Sequence, residues 1–129
     1  MDVVGLGTEI VECARVRAMI EEHAERFLAR VYTPDEIRYC QARKNSTEHF
    51  AAIWAAKEAV FKALKVAGRG GAPWAQIEIE VRDDAPRVKV RGLIRQRMAD
   101  AGVGTVLLTT AFSRHYATAT AIALRAGTG

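Results

Sequence analysis

The stretch Trp54-Ala55-Ala56-Lys57-Glu58-Ala59-Val60-Phe61-Lys62-Ala63-Leu64 decides how this chain folds. It lies in a segment, residues 48–68, that has no proline and many alanines, so local propensity favours one long helix throughout. At about 3.6 residues per turn, the large apolar side chains fall on one stripe and the alanines keep much of the remaining circumference small. The stripe comprises Phe50, Ile53, Trp54, Val60, Phe61 and Leu64. The segment therefore predicts a core helix that a sheet or a second subunit can approach closely.

The charged residues of this helix allow two interpretations. In the first, Glu58 and Lys62 form an i, i+4 ion pair, and Lys57 lays its stem along the core and leaves its ammonium group at the rim. In the second, a carboxylate and two ammonium groups at the margin of a buried surface hold a divalent cation and a phosphate. The helix alone leaves both interpretations open.

Composition predicts one globular domain that spans residues 1–129. Half of the residues are hydrophobic and 26% are charged, and the net charge of +4 permits an acidic partner or a phosphate-bearing ligand. Basic runs interleaved with aromatic residues are missing, so we expect no nucleic-acid partner. No apolar run is long enough for a signal peptide or a membrane span, and we expect no membrane association. Cys13 and Cys40 have no metal-binding spacing and are interpreted as free thiols of a cytoplasmic protein.

The first predicted strand, residues 2–11, carries glycine at alternate positions. Because side chains alternate along a strand, Gly5, Gly7 and Glu9 share one face. Glycines inside a strand often mark the close approach of a ligand or another backbone, and packing on the alanine-rich helix would use the same feature. Glu9 is either a solvated strand end or part of a site.

The remaining elements complete an α+β fold in which an antiparallel sheet wraps on the long central helix. Residues 12–31 predict one amphipathic helix or two short ones bent near His23, and the capping sequence Thr33-Pro34-Asp35-Glu36 starts a helix over 34–42. Further elements are strands over 76–82, 87–91, 106–112 and 116–124 and a helix over 93–101. The glycine-rich loop at residues 68–73 is a weak candidate for a phosphate cradle. In the last strand one face consists of alanines, which predicts that the central helix packs there: Ala117, Ala119, Ala121 and Ala123.

Several of these segments together resemble a known family. The segments are Gly5-Leu6-Gly7-Thr8-Glu9-Ile10-Val11-Glu12 followed by Arg15, then Arg26-Phe27, Arg30, Thr33 and Glu36, then Trp54-Ala55-Ala56-Lys57-Glu58-Ala59 with Lys62-Ala63-Leu64, and lastly Trp74 with Ile77-Glu78-Ile79. In this order they are similar to the holo-acyl-carrier-protein synthase type of 4′-phosphopantetheinyl transferase. The resemblance covers almost the whole chain.

The resemblance implies a 4′-phosphopantetheinyl transferase fold, a homotrimer and a coenzyme A site between adjacent subunits. It implies a cytoplasmic enzyme of fatty-acid or polyketide biosynthesis in which a serine of an acyl carrier protein attacks the phosphorus that bears pantetheine, and 3′,5′-ADP leaves. Magnesium would be held by Glu9 and Glu58, and catalysis would use Glu58 and Lys62. The other residues implied are Lys44, Lys62, Thr109 and Thr110 for coenzyme A, and Arg15, Arg26 and Arg30 for the acidic recognition helix of the carrier protein.

The sequence also departs from the family pattern. Glu9 stands where the family has aspartate, Ile53 where it has arginine, and Thr109 and Phe112 where its Ser-x-x-His segment has serine and histidine. Asn45 stands near a position that is usually basic, with Lys44 next to it. The metal ligands are thus better retained than the phosphate contacts. Two functions remain open: an active transferase, or a relative that binds a carrier protein without transfer.

Overall fold

The computed structural model describes residues 2–66, 73–83 and 85–127. Within them the chain forms five strands, four α-helices and one short 3₁₀ turn at Trp74–Gln76. In chain order the strands and helices are β1 (Val3–Glu12), α1 (Cys13–Val31), α2 (Pro34–Gln41), α3 (Ser46–Ala63), β2 (Ile77–Arg82), β3 (Ala85–Val90), α4 (Gly92–Asp100), β4 (Val103–Phe112) and β5 (Tyr116–Arg125). The predicted α+β class is confirmed. No helix among these residues has the length and apolar character needed to span a membrane.

The sheet that carries α3 has the strand order β1-β5-β4 with antiparallel pairing throughout, and β2 and β3 form a separate hairpin. The inner face of β1 presents Gly5 and Gly7 to the helix. A Cβ atom at Gly7 would lie 1.9 Å from the carbonyl oxygen of Ala59, and one at Gly5 would lie 2.0 Å from that of Ala63. The four alanines of β5 are buried on the same side. The sheet and helix therefore pack backbone to backbone, as the small residues on both predicted.

Helix α3 ends earlier than predicted. It stops at Ala63, and Lys65 adopts a φ of 59°, in the left-handed region. The amide of Val66 then donates to the carbonyl oxygen of Phe61 at 2.8 Å, a bond typical of a helix C-terminus that closes on itself. The predicted extension through residue 66 is therefore wrong, while residues 67–72, with most of the glycine-rich loop, lie outside the described part of the chain.

The two local helix signals are confirmed. Helix α1 is interrupted at Ala24, where φ is 43° and ψ is −120°, so it bends next to His23. At the start of α2 the Thr33 hydroxyl accepts a hydrogen bond from the amide of Glu36, and the Thr33 amide donates to Glu36 Oε1 at 2.8 Å. The glutamate of this capping box lies in the interior of the protein, since Glu36 is only 2% exposed.

The buried glutamate changes the interpretation of Lys57. The Lys57 side chain is fully buried. Its Nζ lies 2.7 Å from Glu36 Oε1 and donates to the carbonyl oxygens of Val31 and Trp74. The interpretation that placed the ammonium group of Lys57 at the rim of the core is therefore wrong. Burial lowers the pKa of Lys57 and raises the pKa of Glu36, and in each case the opposite charge of the partner works against burial. The pair ties α3 to the start of α2.

Candidate active site

Strand β1 and helix α3 bring two carboxyl groups together at the edge of the core. Glu9 follows Gly7 on the inner face of β1, and Glu58 precedes Ala59, whose carbonyl oxygen faces Gly7. The two side chains are close enough to share a hydrogen bond. The additional methylene of Glu9, compared with the aspartate implied by the resemblance, is accommodated without separating the two groups.

The two carboxyl groups have opposite pKa shifts. Burial, followed by the hydrogen bond and the charge of Glu9, raises the pKa of Glu58 to about 7. The hydrogen bond from Glu58 lowers the pKa of Glu9, and Lys62 lowers it further. Two adjacent carboxyl groups that repel each other when both are ionised form a site where a cation or an incoming proton is stabilised.

Lys62 completes this cluster from the next turn of α3. Its Nζ lies 3.0 Å from Glu9 Oε2 and donates to the carbonyl oxygen of Thr8 at 3.0 Å. Its ion pair is therefore made with strand β1. The Lys62 side chain is 54% exposed, so its ammonium group can turn toward a phosphate without leaving a buried charge behind.

Arg15 approaches the same cluster from α1. Its guanidinium group lies over the Trp54 ring, 5.4 Å from the centroid, and its charge lowers the pKa of Glu58. Arg26 and Arg30 lie elsewhere, with Met19 and Phe27, in a concavity of about 230 Å³ on the bent part of α1. The structure thus brings Glu9, Glu58, Lys62 and Arg15 together and leaves the other two arginines on a separate surface.

The residues predicted for coenzyme A are dispersed within one chain. Lys44 is exposed between α2 and α3. Thr109 pairs with Thr120 and lies on the outer face of the sheet, whereas Thr110 points to the opposite side. There Thr110 lines a pocket of about 430 Å³ that also contains Ile53.

The sequence reasoning missed two further residues of this pocket, Tyr39 and His49. Their rings contact each other edge to face with centroids 5.6 Å apart, and His49 contacts Phe112 at 4.8 Å. Tyr39 is on α2 and His49 is in the first turn of α3, so neither belongs to a motif with fixed spacing. Only the packing of α2, α3 and β4 brings these side chains together.

The carboxyl cluster is compatible with magnesium. In the part of the chain that the structure describes, no group of three or more His, Cys, Asp or Glu side chains forms a closed metal site. Magnesium commonly uses one or two protein carboxylates and completes its shell with water and substrate phosphates. A cation held between Glu9 and Glu58 would relieve the repulsion that helps to raise the pKa of Glu58.

Comparison with known proteins agrees with this geometry. Residues 5–121 match the sequence profile of a family described as the 4′-phosphopantetheinyl transferase superfamily. A holo-[acyl-carrier-protein] synthase of Rhodopirellula baltica is 42% identical over 110 residues, which cover 84% of this chain and 87% of that protein. This chain therefore belongs to the 4′-phosphopantetheinyl transferase superfamily.

Solved structures of this kind have the same fold. The crystal structure of the holo-[acyl-carrier-protein] synthase of Neisseria meningitidis superposes with a TM-score of 0.87 at 23% identity, covering 96% of this chain and all of that chain. A holo-(acyl-carrier-protein) synthase of Bacillus anthracis, in complex with CoA (3′,5′-ADP), superposes with a TM-score of 0.75 at 25% identity, covering 94% of this chain and 96% of that chain. The arrangement of sheet and central helix is thus that of the family.

Proposed function

We propose that this chain transfers the 4′-phosphopantetheine group from coenzyme A to a serine of an acyl carrier protein. The observation that carries the proposal is the convergence of Glu9, Glu58 and Lys62 from two elements that are distant in sequence. The holo-[acyl-carrier-protein] synthase relatives and the family assignment support it. The complete cluster argues against the alternative of a carrier-binding relative that has lost transfer.

Glu9 and Glu58 would hold a magnesium ion. When bound, the ion supplies positive charge that neutralises the pyrophosphate of coenzyme A. The pair is suited to this because its two side chains come from a strand and a helix that are locked together by backbone contact at Gly7. Carboxylates held in this way lose little freedom when they bind an ion.

The residues of this chain can also serve the chemical step. The serine oxygen forms a bond to the phosphorus that bears pantetheine, and the bond from that phosphorus to 3′,5′-ADP breaks. Glu58, or a water held beside it, would accept the serine proton as the new bond forms. Lys62 would turn its ammonium group from Glu9 to the pyrophosphate and neutralise the negative charge that the leaving 3′,5′-ADP acquires.

The remaining coenzyme contacts fit a site shared between copies of the chain. Thr110 lines the 430 Å³ pocket and Lys44 is on the neighbouring loop, but Thr109 is on the other face of the sheet. A coenzyme bound within one copy cannot contact both threonines, because adjacent residues of a strand point to opposite faces. Assembly of several copies would allow Thr109 of one copy and Thr110 of another to line a shared site.

The outer face of the sheet supports assembly into a homotrimer. Leu6, Ile10 and Leu107 are 64%, 60% and 53% exposed. Ile122 of β5 pairs with Leu6 on one side and with Leu107 on the other, so these three side chains form one apolar row, and Ile10 lies on the same face beyond a row of threonines. A contiguous exposed apolar surface is typical of an interaction site. Burial of this surface between copies would stabilise the trimer.

Arg26 and Arg30 would meet the acidic carrier protein, and Arg15 would lie between that surface and the carboxyl cluster. Opposite charges chiefly accelerate the encounter of two proteins. The position of Arg15 over Trp54 links the docking surface to the site where the serine must arrive. A cytoplasmic location is consistent with Cys13 and Cys40, which are free and buried.

A transfer assay tests the proposal. The protein is incubated with an apo acyl carrier protein, coenzyme A and magnesium, and the carrier is examined by mass spectrometry for added phosphopantetheine. We expect modification by the wild type, loss in Glu58→Gln and Lys62→Met, and loss on chelation of magnesium. Glu21→Gln, which neutralises an exposed glutamate of α1, is the matched control and should retain activity. A carrier that stays unmodified across a panel of fatty-acid and polyketide carriers would refute the transfer function.

A further inference from the structure

Strand β1 lies at one edge of its sheet in the part of the chain that the structure describes, with β5 as its neighbour. The outward backbone groups of an edge strand can pair with another extended chain. In the middle of β1 two backbone groups are instead bonded to side chains. Lys62 Nζ donates to the carbonyl oxygen of Thr8 at 3.0 Å, and the amide of Ile10 donates to Glu9 Oε1 at 3.1 Å.

The ladder between β1 and β5 explains why these two backbone groups point outward. In an antiparallel pair, every second residue directs both its amide and its carbonyl group to the neighbouring strand. The Cys13 amide donates to the His115 carbonyl oxygen at 2.8 Å, which continues the ladder at an odd-numbered position, and the register has no shift between Gly5 and this point. The even-numbered residues Thr8 and Ile10 therefore direct their amides and carbonyl groups to the open edge.

The side chains that cover this edge are those proposed to bind the substrate. Lys62 would turn from Glu9 and Thr8 to the pyrophosphate, and Glu9 would bind the magnesium ion. Both movements withdraw a hydrogen-bonding partner from the edge, the first from the Thr8 carbonyl oxygen and the second from the Ile10 amide. Backbone groups that a bound coenzyme shields from water need new partners, because an unpaired buried donor or acceptor is costly.

The pantetheine arm of coenzyme A has the chemistry to supply these partners. It is an extended chain with two amides on either side of a β-alanine unit, which presents an N–H at the end nearer the phosphate and a C=O at the other end. A residue of a parallel strand donates its N–H to one carbonyl group of the neighbouring strand and accepts from the amide two residues further along. Thr8 and Ile10 have this spacing. The arm is attached to the phosphorus that would lie at Lys62, and Lys62 Nζ is 3.0 Å from the Thr8 carbonyl oxygen.

We propose that the edge of β1 at Thr8 and Ile10 binds the pantetheine arm of coenzyme A as an added parallel strand. This inference rests on the proposed transferase function and deepens it by assigning a site to the arm. The Thr8 carbonyl oxygen accepts from the amide N–H nearer the phosphate, and the Ile10 amide donates to the carbonyl group of the second amide. Main-chain bonds of this kind provide affinity when an extended chain joins a sheet edge. Binding of the pyrophosphate thus frees the edge for the arm, because Lys62 leaves Thr8 when it turns to the phosphate.

The variant Ile10→Pro removes the proposed donor from the edge. An edge strand tolerates proline where the missing N–H faces outward. Calorimetry in the presence of magnesium compares coenzyme A with adenosine 3′-phosphate 5′-diphosphate, which keeps the pyrophosphate and lacks the arm. We expect Ile10→Pro to weaken binding of coenzyme A about fivefold relative to the ligand without the arm, as for one lost hydrogen bond. Ile10→Val is the matched control, since it shortens the side chain and keeps the amide, and it should leave the ratio of the two dissociation constants unchanged.

A coenzyme A analogue tests the Thr8 contact without any change to the protein. An ester oxygen in place of the N–H nearer the phosphate removes the donor to the Thr8 carbonyl oxygen and keeps the length of the arm. We expect the wild type to bind this analogue about fivefold more weakly than coenzyme A. This measurement stands even if Ile10→Pro does not fold.

The outcomes separate this inference from the proposed function. If the wild type transfers phosphopantetheine, an unchanged ratio in folded Ile10→Pro, or an ester analogue bound as tightly as coenzyme A, would overturn the inference alone. If a second copy of the chain occupies this edge instead, Ile10→Pro lowers the assembly state in analytical ultracentrifugation and leaves the ratio unchanged, which also overturns it. A wild type that neither binds coenzyme A nor modifies a carrier would overturn the proposed function and this inference with it.

Discussion

Replacement of Glu58 by glutamine should stabilise the metal-free protein while removing its function. The pKa of Glu58 rises from its ordinary value of 4.5 to about 7 because the side chain is partly buried beside Glu9. This difference corresponds to ~3 kcal/mol at ~1.4 kcal/mol per pKa unit. Solvent reaches part of the side chain, so we expect Glu58→Gln to be more stable than the wild type by only about 1–2 kcal/mol at pH 8. The glutamine amide can still donate a hydrogen bond to Glu9, so the arrangement of the pair persists.

The pH dependence of this effect has a definite sign. A carboxyl group whose folded pKa is raised binds its proton more tightly in the folded state, so wild-type stability falls as pH rises from 4.5 through about 7. Glutamine does not titrate and avoids this loss. The difference in unfolding free energy between Glu58→Gln and wild type should therefore be near zero at pH 4.5 and reach its full value above pH 7.

Urea unfolding in the presence of a chelator measures this difference. Trp54 and Trp74 are buried and provide the fluorescence signal. Both proteins must be compared at one protein concentration, because assembly would make stability concentration-dependent. Glu21→Gln is the control and should stay within about 0.5 kcal/mol of wild type at every pH. A Glu58→Gln protein that is less stable than wild type at pH 8, or a difference that does not change with pH, would refute the reasoning.

Three further predictions concern stability and reactivity. Lys57→Met leaves the buried Glu36 carboxylate without its cation and should lower the free energy of unfolding, measured in urea, by about 3–5 kcal/mol. If the double variant with Glu36→Gln recovers none of this stability, the ion pair is not the cause. Gly7→Ala places a methyl group against the Ala59 carbonyl oxygen and should lower the free energy of unfolding by about 3 kcal/mol or more. A melting temperature equal to that of the wild type would contradict the close packing. Burial raises the pKa of Cys40 to about 12. At pH 8 we therefore expect its thiol to react with a disulfide reagent only as fast as the protein opens. Rapid labelling of the native protein would disprove this prediction.

Much of the fold could be predicted because its decisive signals are local or periodic. The capping box at Thr33 and the alternating glycines of β1 each reflect the geometry of a few neighbouring residues. The alanine face of β5 and the alanines of α3 then predicted which surfaces meet, because only small side chains allow a sheet and a helix to approach this closely. Apart from α3, the predicted elements agree with the structure within three residues at each end.

The clustering of Glu9, Glu58 and Lys62 could be predicted through the resemblance to a family. The residues alone left Glu9 as a possible strand end and Glu58 as a possible partner of Lys62 on the helix surface. The structure instead joins Lys62 to Glu9 across two elements. Sequence spacing describes neighbours within one helix well, but it contains no distance between a helix and a strand.

The sequence by itself determined the elements, the small-residue surfaces along which they pack, and the residue types available for a phosphate and a cation. Tertiary structure alone decided that Lys57 is buried against Glu36, that Glu58 lies within hydrogen-bonding distance of Glu9, and that Ile53 and Phe112 line one pocket. The physical reason is that burial and charge partnership depend on distances across the fold. A side chain acquires its pKa and its role from groups that the chain brings close only after it has folded.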